Sequence, residues 1–198
     1  MIAVIDVCGN NLTSLTNALK CLGYQYTLTH EAKALMTASH VILPGVGAAA
    51  TAMQALRQYQ LVDILRLLTQ PVLGICLGMQ LLLEFSEEGG VDCLNLIPGY
   101  AKRFANCPNY PVPHMGWSKL SWTKQTPIAK DLAAEDYVYF VHSYALPCSN
   151  HALANCQYSE EFTAIVQYRN YYGMQFHPEK SAATGLKLLN NFLQLEGL

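Results

Sequence analysis

The segment from Pro71 to Phe85 restricts what this chain can fold into more than any other part of it. It opens on an apolar run, Pro71-Val72-Leu73, passes through Gly74-Ile75-Cys76-Leu77-Gly78-Met79-Gln80, and ends in helix-patterned Leu81 to Phe85. A strand that turns directly into a helix between two glycines is the thiol counterpart of the G-x-S-x-G nucleophile elbow. There the reactive residue occupies a tight turn that flanking glycines make possible. Such a turn lifts the sulfur clear of the sheet and aims helix N-terminal N–H groups at it, an environment that favours thiolate over thiol. The other reading of Cys76 is a small buried hydrophobe, as most free cysteines are.

The residues before the elbow alternate between strand and helix signals. Met1 to Val7 is an almost continuous apolar run, the pattern of a strand buried on both faces of a parallel sheet. Leu12, Leu15, Leu19 and Leu22 follow at helical spacing, with Gly23 where a C-cap belongs. Tyr24 to Leu28 and Val41 to Leu43 read as further strands, the latter ending at Pro44-Gly45-Val46-Gly47. Ala48 to Leu68 reads as a helix in two pieces, and Val72 to Ile75 as the strand feeding the elbow. This alternation predicts an α/β fold: a doubly wound, mostly parallel open sheet flanked by helices. The second half changes character. Tyr137 to Val141 is a strong strand, and Phe162 to Tyr168, Arg169-Asn170 and Tyr171 to Phe176 read as an antiparallel hairpin, so an antiparallel extension is expected there. Ser181 to Leu195 closes the chain as an amphipathic helix.

A length of 198 residues suits one substantial core, so residues 1–198 are expected to form a single domain. With a net charge of −2 and no basic cluster, a nucleic-acid partner is not expected. No apolar run approaches the roughly 20 residues of a membrane span. Met1-Ile2-Ala3-Val4-Ile5-Asp6 lacks a basic leader and reads as a first strand. The seven cysteines are odd in number and form no C-x-x-C pair, so neither a disulfide framework nor a zinc site is expected, and a reducing cytoplasm fits best.

A cysteine nucleophile needs a base and a group that orients the base. Of the six histidines, His177 follows the last predicted strand, within Gln175-Phe176-His177-Pro178-Glu179-Lys180-Ser181. Loops at the carboxyl ends of parallel strands gather at one edge, so this loop can meet the elbow. Glu179 stands two residues on, and Pro178 stiffens the turn between them. Glu179 could instead simply favour the dipole of the helix that follows. Gly45-Val46-Gly47 is a candidate oxyanion hole, with the N–H of Leu77 as second donor, although an ordinary strand-to-helix turn has the same sequence.

Together the elbow and the segment from Phe176 to Ser181 resemble the triad (class I) glutamine amidotransferases. Leu43 to Gly47, Val112-Pro113-His114-Met115-Gly116-Trp117 and Tyr139-Phe140-Val141-His142-Ser143-Tyr144 narrow the resemblance to the glutaminase subunits of imidazole glycerol phosphate synthase. It spans nearly the whole chain. It implies that Cys76, His177 and Glu179 are a triad hydrolysing L-glutamine to glutamate and ammonia, with no cofactor or metal. It implies that Gln80 and Glu88 bind glutamine, Glu88 through the α-ammonium. It also implies a (β/α)8-barrel synthase subunit as heterodimeric partner, which uses the ammonia in histidine biosynthesis. Met115, Trp117, His142, Tyr144 and Lys180 are the candidates for the contact face with that partner. Two stretches depart from the family pattern: Asp6 to Leu12, which would face the partner, and Ala182-Ala183, where glycine is often found. A stand-alone cysteine amidohydrolase or peptidase of the same fold is the alternative, and it would not need the segments around Trp117 and His142.

Overall fold

The computed structural model describes residues 1–6, 12–133 and 136–197. The departure at Asp6 to Leu12 therefore lies largely outside the described residues, as does the end of the first predicted strand. Strands β1 (Ile2–Ile5), β2 (Tyr26–Thr29), β3 (His40–Gly45) and β4 (Val72–Cys76) occupy the first part of the chain. Between them come helices α1 (Thr13–Cys21), α2 (Ala32–Thr37), α3 (Ala49–Gln58) and α4 (Leu61–Leu67), and α5 (Leu77–Leu82) follows β4. Then come β5 (Phe85–Ser86), β6 (Val91–Asp92), β7 (Tyr100–Arg103), β8 (His114–Lys119) and β9 (Ser121–Trp122). The last part holds β10 (Tyr137–His142), β11 (Tyr144–Ala145), β12 (Ala152–Gln157), β13 (Glu161–Tyr168), β14 (Tyr171–Met174) and helix α6 (Ala182–Leu193).

Eight strands form the main sheet in the order β2-β1-β3-β4-β14-β13-β12-β9. The first five run parallel, and β13, β12 and β9 extend the sheet antiparallel, the architecture expected from the sequence. The parallel strands are apolar on both faces because helices cover both: β1 and β4 are buried at every residue. One core cluster gathers α1 and α6 with the aromatic residues Phe140, Phe162, Phe176 and Phe192. The other gathers Leu35, Met53, Leu56, Leu61 and Leu65 from α2, α3 and α4. Burying each such side chain contributes about 1.5–3 kcal/mol.

The local signals explain the boundaries. Helix α1 ends where Gly23 takes φ +81°, and its N–H reaches the Lys20 carbonyl while that of Tyr24 reaches Leu19, closing the helix end. The two-piece helix breaks at Gln60, whose φ is +58°. Arg169-Asn170 turns the hairpin as expected, and Asn170 Nδ2 then donates to the Leu68 and Gln70 carbonyls at 2.8 and 3.0 Å. That pair of bonds fixes β14 beside β4. Two outcomes differ from the sequence reading. Strand β3 runs on through Pro44 and Gly45, because Gly45 still pairs with Cys76. Ala182 takes φ +50°, so the position where glycine is common holds an alanine in left-handed backbone.

Outside the main sheet, β8 and β10 form a two-stranded antiparallel ribbon, and β11, β7, β5 and β6 a small second sheet. Val138, Phe140 and His142 of the ribbon face inward, while Met115, Trp117 and Tyr137 are exposed. No described helix is long and apolar enough to cross a membrane.

Candidate active site

Strands β3, β4 and β14 are adjacent and parallel, so their carboxyl ends open on the same edge. Strand β4 delivers Cys76, β3 delivers the Gly45-Val46-Gly47 turn, and β14 runs on into Gln175 and His177. The register is direct: Gly45 lies opposite Cys76, and Met174 opposite Ile75.

Cys76 adopts φ +54° and ψ −111°, a backbone conformation that a residue with a side chain rarely takes. Strain of this kind is the mark of an elbow, and close packing holds it in place. A Cβ on Gly78 would sit 1.8 Å from the Leu43 carbonyl oxygen, and one on Gly74 would sit 2.5 Å from the Gly78 carbonyl oxygen. Helix α5 thus leaves β4 in contact with β3 backbone, an approach only glycine permits. Replacing Gly78 with Ala should lower the unfolding free energy by about 3 kcal/mol or more, since backbone, not a movable side chain, blocks the new methyl. Denaturant unfolding measures this, and a stability within 1 kcal/mol of the parent (about the scatter of surface substitutions) would contradict it.

The thiol is 7% exposed, and its sulfur lies 3.9 Å from the Val141 carbonyl oxygen and 3.9 Å from Gln175 Nε2. His177 faces it, with Nδ1 2.8 Å from Glu179 Oε1. Burial alone would lower His177, but the Cys76 sulfur and the Glu179 carboxylate outweigh it and push the imidazole up to about 10. The other carboxylate oxygen, Glu179 Oε2, is buried with no hydrogen-bond partner among the described residues, which leaves its charge to His177. Ser181 locks the turn: its hydroxyl donates to the His177 carbonyl at 2.7 Å and accepts the Tyr139 N–H at 2.9 Å.

A cavity of about 390 Å³ opens over this group, lined by Cys76, His177, Leu77, Gln80, Glu88, Val46 and Gly47, with Val141, His142 and Ser143 on the opposite wall. Gly47 takes φ +96°, a conformation its neighbours could hold only under strain, and Val46 is 49% exposed at the rim. Gln80 is buried, and its Nε2 donates to the Tyr144 carbonyl at 2.9 Å and to Gln175 Oε1 at 3.2 Å. Both its N–H groups are spent, so only Oε1 is left for a ligand. Glu88 Oε2 accepts the Ala49 N–H at 3.0 Å, so this carboxylate also caps α3. The two side chains therefore present acceptors to the cavity, a pattern that suits a cationic group.

The candidate contact residues separate. Met115 and Trp117 are 62% and 52% exposed, and Lys180 is exposed as well. His142 is not on that face. Only 6% exposed, it forms part of the cavity wall, because it shares the inward parity of Val138 and Phe140 on β10. Tyr144 is half-buried against the second core cluster. Gln175 and Ser181 escaped the sequence reading, whereas His114 entered it within the segment from Val112 to Trp117. No local pattern marks Gln175, because its partners Gln80 and Cys76 are distant in sequence.

The sequence profile of the family "Glutamine amidotransferase class-I" matches residues 3–195. Imidazole glycerol phosphate synthase subunit HisH 2 of Legionella pneumophila (strain Philadelphia 1) is 64% identical, over 99% of this chain and 98% of that protein. The HisH subunit of Idiomarina loihiensis is 48% identical, over 98% of this chain and 97% of its own. A crystal structure of a glutamine amidotransferase superposes with a TM-score of 0.74 at 18% identity, covering 98% of this chain and 97% of the other, a likeness of fold.

Proposed function

Because this chain belongs to the class I glutamine amidotransferase family, we propose that Cys76, His177 and Glu179 are the triad with which it hydrolyses glutamine. The chain is a glutaminase subunit of imidazole glycerol phosphate synthase, an enzyme of histidine biosynthesis. One observation carries the site assignment: a strained cysteine faces a His177–Glu179 pair across the ends of adjacent parallel strands, beside a glycine turn. We take residues 1–198 as one amidotransferase domain working in the cytoplasm.

In the first half-reaction Cys76 gives its thiol proton to His177, and the sulfur attacks the side-chain carboxamide carbon of glutamine. A C–S bond forms, and the carbonyl π pair moves onto oxygen. Backbone N–H groups of Val46, Gly47 and Leu77 receive that charge, with Gly45 setting the turn. His177, protonated, gives its proton to the amide nitrogen, the C–N bond breaks, and ammonia leaves behind a glutamyl thioester. Water then attacks the thioester, His177 takes its proton, the C–S bond breaks and glutamate departs. Glu179 orients the imidazole and stabilises its charged form throughout. Gln80 Oε1 and the Glu88 carboxylate hold the substrate α-ammonium.

That contact is made to a group that does not change during the reaction, so losing it should raise KM more than it lowers kcat. Glu88→Gln keeps an oxygen for the Ala49 N–H and removes only the charge. We expect it to raise KM for glutamine about tenfold or more at an unchanged melting temperature, as removal of a charged hydrogen bond does. Glu88→Ala should lose stability as well. Steady-state kinetics with glutamine decide this, and a parental KM in both variants would dismiss the pocket.

The exposed Met115, Trp117 and Lys180 near the cavity support docking of the synthase subunit here, and we infer that this subunit is a (β/α)8 barrel. Ammonia passing between the two without meeting bulk water escapes protonation and stays nucleophilic. The isolated chain should hydrolyse glutamine slowly, and adding the purified synthase subunit with its nucleotide substrate should raise the rate. Full activity from the chain alone would count against coupling through this face.

A further inference from the structure

We propose that Gln175 is a positioning residue for the nucleophile, holding the Cys76 sulfur through an N–H whose direction is dictated by the backbone carbonyl of Tyr144. The inference rests on the assignment of Cys76 as nucleophile and extends it. A carbonyl oxygen can only accept, so the Gln80 atom 2.9 Å from it must be the amide nitrogen. That nitrogen can only donate, so the Gln175 atom 3.2 Å away must be the amide oxygen. The amide NH2 of Gln175 is then turned to the sulfur, at 3.9 Å. No flip of either amide satisfies the set, because a flip would face oxygen against oxygen or nitrogen against nitrogen.

A second chain of bonds converges on the same carbonyl from the other side. His142 Nδ1 lies 2.8 Å from the Tyr144 oxygen and must donate to it, which leaves His142 Nε2 to accept from His114 Nδ1 at 3.2 Å. His114 Nε2 in turn accepts from the Ser118 hydroxyl at 3.0 Å. Burial keeps both rings neutral, pushing His142 down to about 3 and His114 down to about 4. The side chains of His114, His142, Gln80 and Gln175 are all buried, and the two donors to the Tyr144 carbonyl, Gln80 Nε2 and His142 Nδ1, fix the direction of the bonds. Gln175 is itself fully buried, and its oxygen is occupied by Gln80. Its free N–H therefore has the sulfur as its acceptor, most strongly once that sulfur carries the charge of a thiolate.

The test is the pH dependence of Cys76 alkylation by iodoacetamide, followed by mass spectrometry of the Cys76 peptide, on the full chain. Cys93 and Cys156 are spectators, since burial pushes their thiols up to about 11 and about 12. Gln175→Met fills the same space without the donor. Gln175→Asn keeps an amide but draws it away from the sulfur, so it serves if the methionine variant does not fold. In either variant the alkylation midpoint should rise by about one pH unit, a tenfold loss of thiolate. Glutamine turnover should fall about tenfold in kcat with KM changed less than about threefold. A purely structural role would lower the melting temperature and leave the midpoint alone. A folded variant with the parental midpoint and kcat would overturn the proposal. Parental Cys76 that resists alkylation, or that glutamine fails to protect, would instead overturn the nucleophile assignment and this inference with it.

Discussion

Cys76→Ala should eliminate glutamine hydrolysis, by about four to six orders of magnitude, while the folded chain and its complex survive. Removing a nucleophile that forms a covalent intermediate leaves only binding and oxyanion stabilisation, and losses of that size are what such removals produce. Alanine keeps the Cβ at a backbone conformation of φ +54°, so the strain at the elbow is neither added to nor relieved. The buried methyl costs little packing in a wall that faces a cavity. Melting temperature should therefore stay close to parental while glutamate release disappears. A complex carrying Cys76→Ala should still form the synthase product when supplied with ammonium salt, because only the ammonia source is gone. Hydrolysis near the parental rate in a folded Cys76→Ala chain would falsify the assignment of the nucleophile.

His177→Ala should be nearly as damaging, about four orders of magnitude or more in kcat, since one imidazole serves both half-reactions. The pH profile says more. With its folded pKa pushed up to about 10, His177 carries the proton that the departing ammonia needs across the whole neutral range. Rate should hold on the alkaline side until pH nears 10 and fall as that proton is lost. Glu179 is one of the causes that raise His177, so Glu179→Gln should move the alkaline limb to lower pH and cost less than His177→Ala. An alkaline limb that does not move in Glu179→Gln would show that the carboxylate acts otherwise. The stability linkage has the same sign. A histidine raised above its unfolded value near 6.5 contributes stability in full below that pH. The contribution is lost as pH rises toward 10, so the native state should weaken between those limits.

The fold was legible wherever periodicity is local. Leu12 to Leu22 spells a helix, the apolar runs at Val4, Ile42 and Leu73 spell buried parallel strands, and Arg169-Asn170 between two apolar stretches spells a hairpin. The two-residue strands β5, β6, β9 and β11 carry too few side chains for any period to show, and α2 is only six residues long. The proposed triad was readable because its members sit in two short, patterned segments whose strands are neighbours. His142, a candidate for the contact face, forms part of the cavity wall, and the inward parity of Val138 and Phe140 on the same strand accounts for its burial. Gln175 was invisible because its meaning comes from Gln80 and Cys76, far away in sequence, and no local pattern announces a bond between distant amides.

The carbonyl of Tyr144 belongs to the main chain, so no codon change at that position can delete it. A mutational scan would record Tyr144 as a tolerant site whenever the half-buried ring is replaced by something of similar bulk. It would report its neighbours Gln80, His142 and Gln175 as sensitive for no shared cause. The information that orients four side chains is held in the path of the backbone after His142. Only an alteration of that path, such as an insertion, a deletion or a proline beside it, would scramble all of them at once.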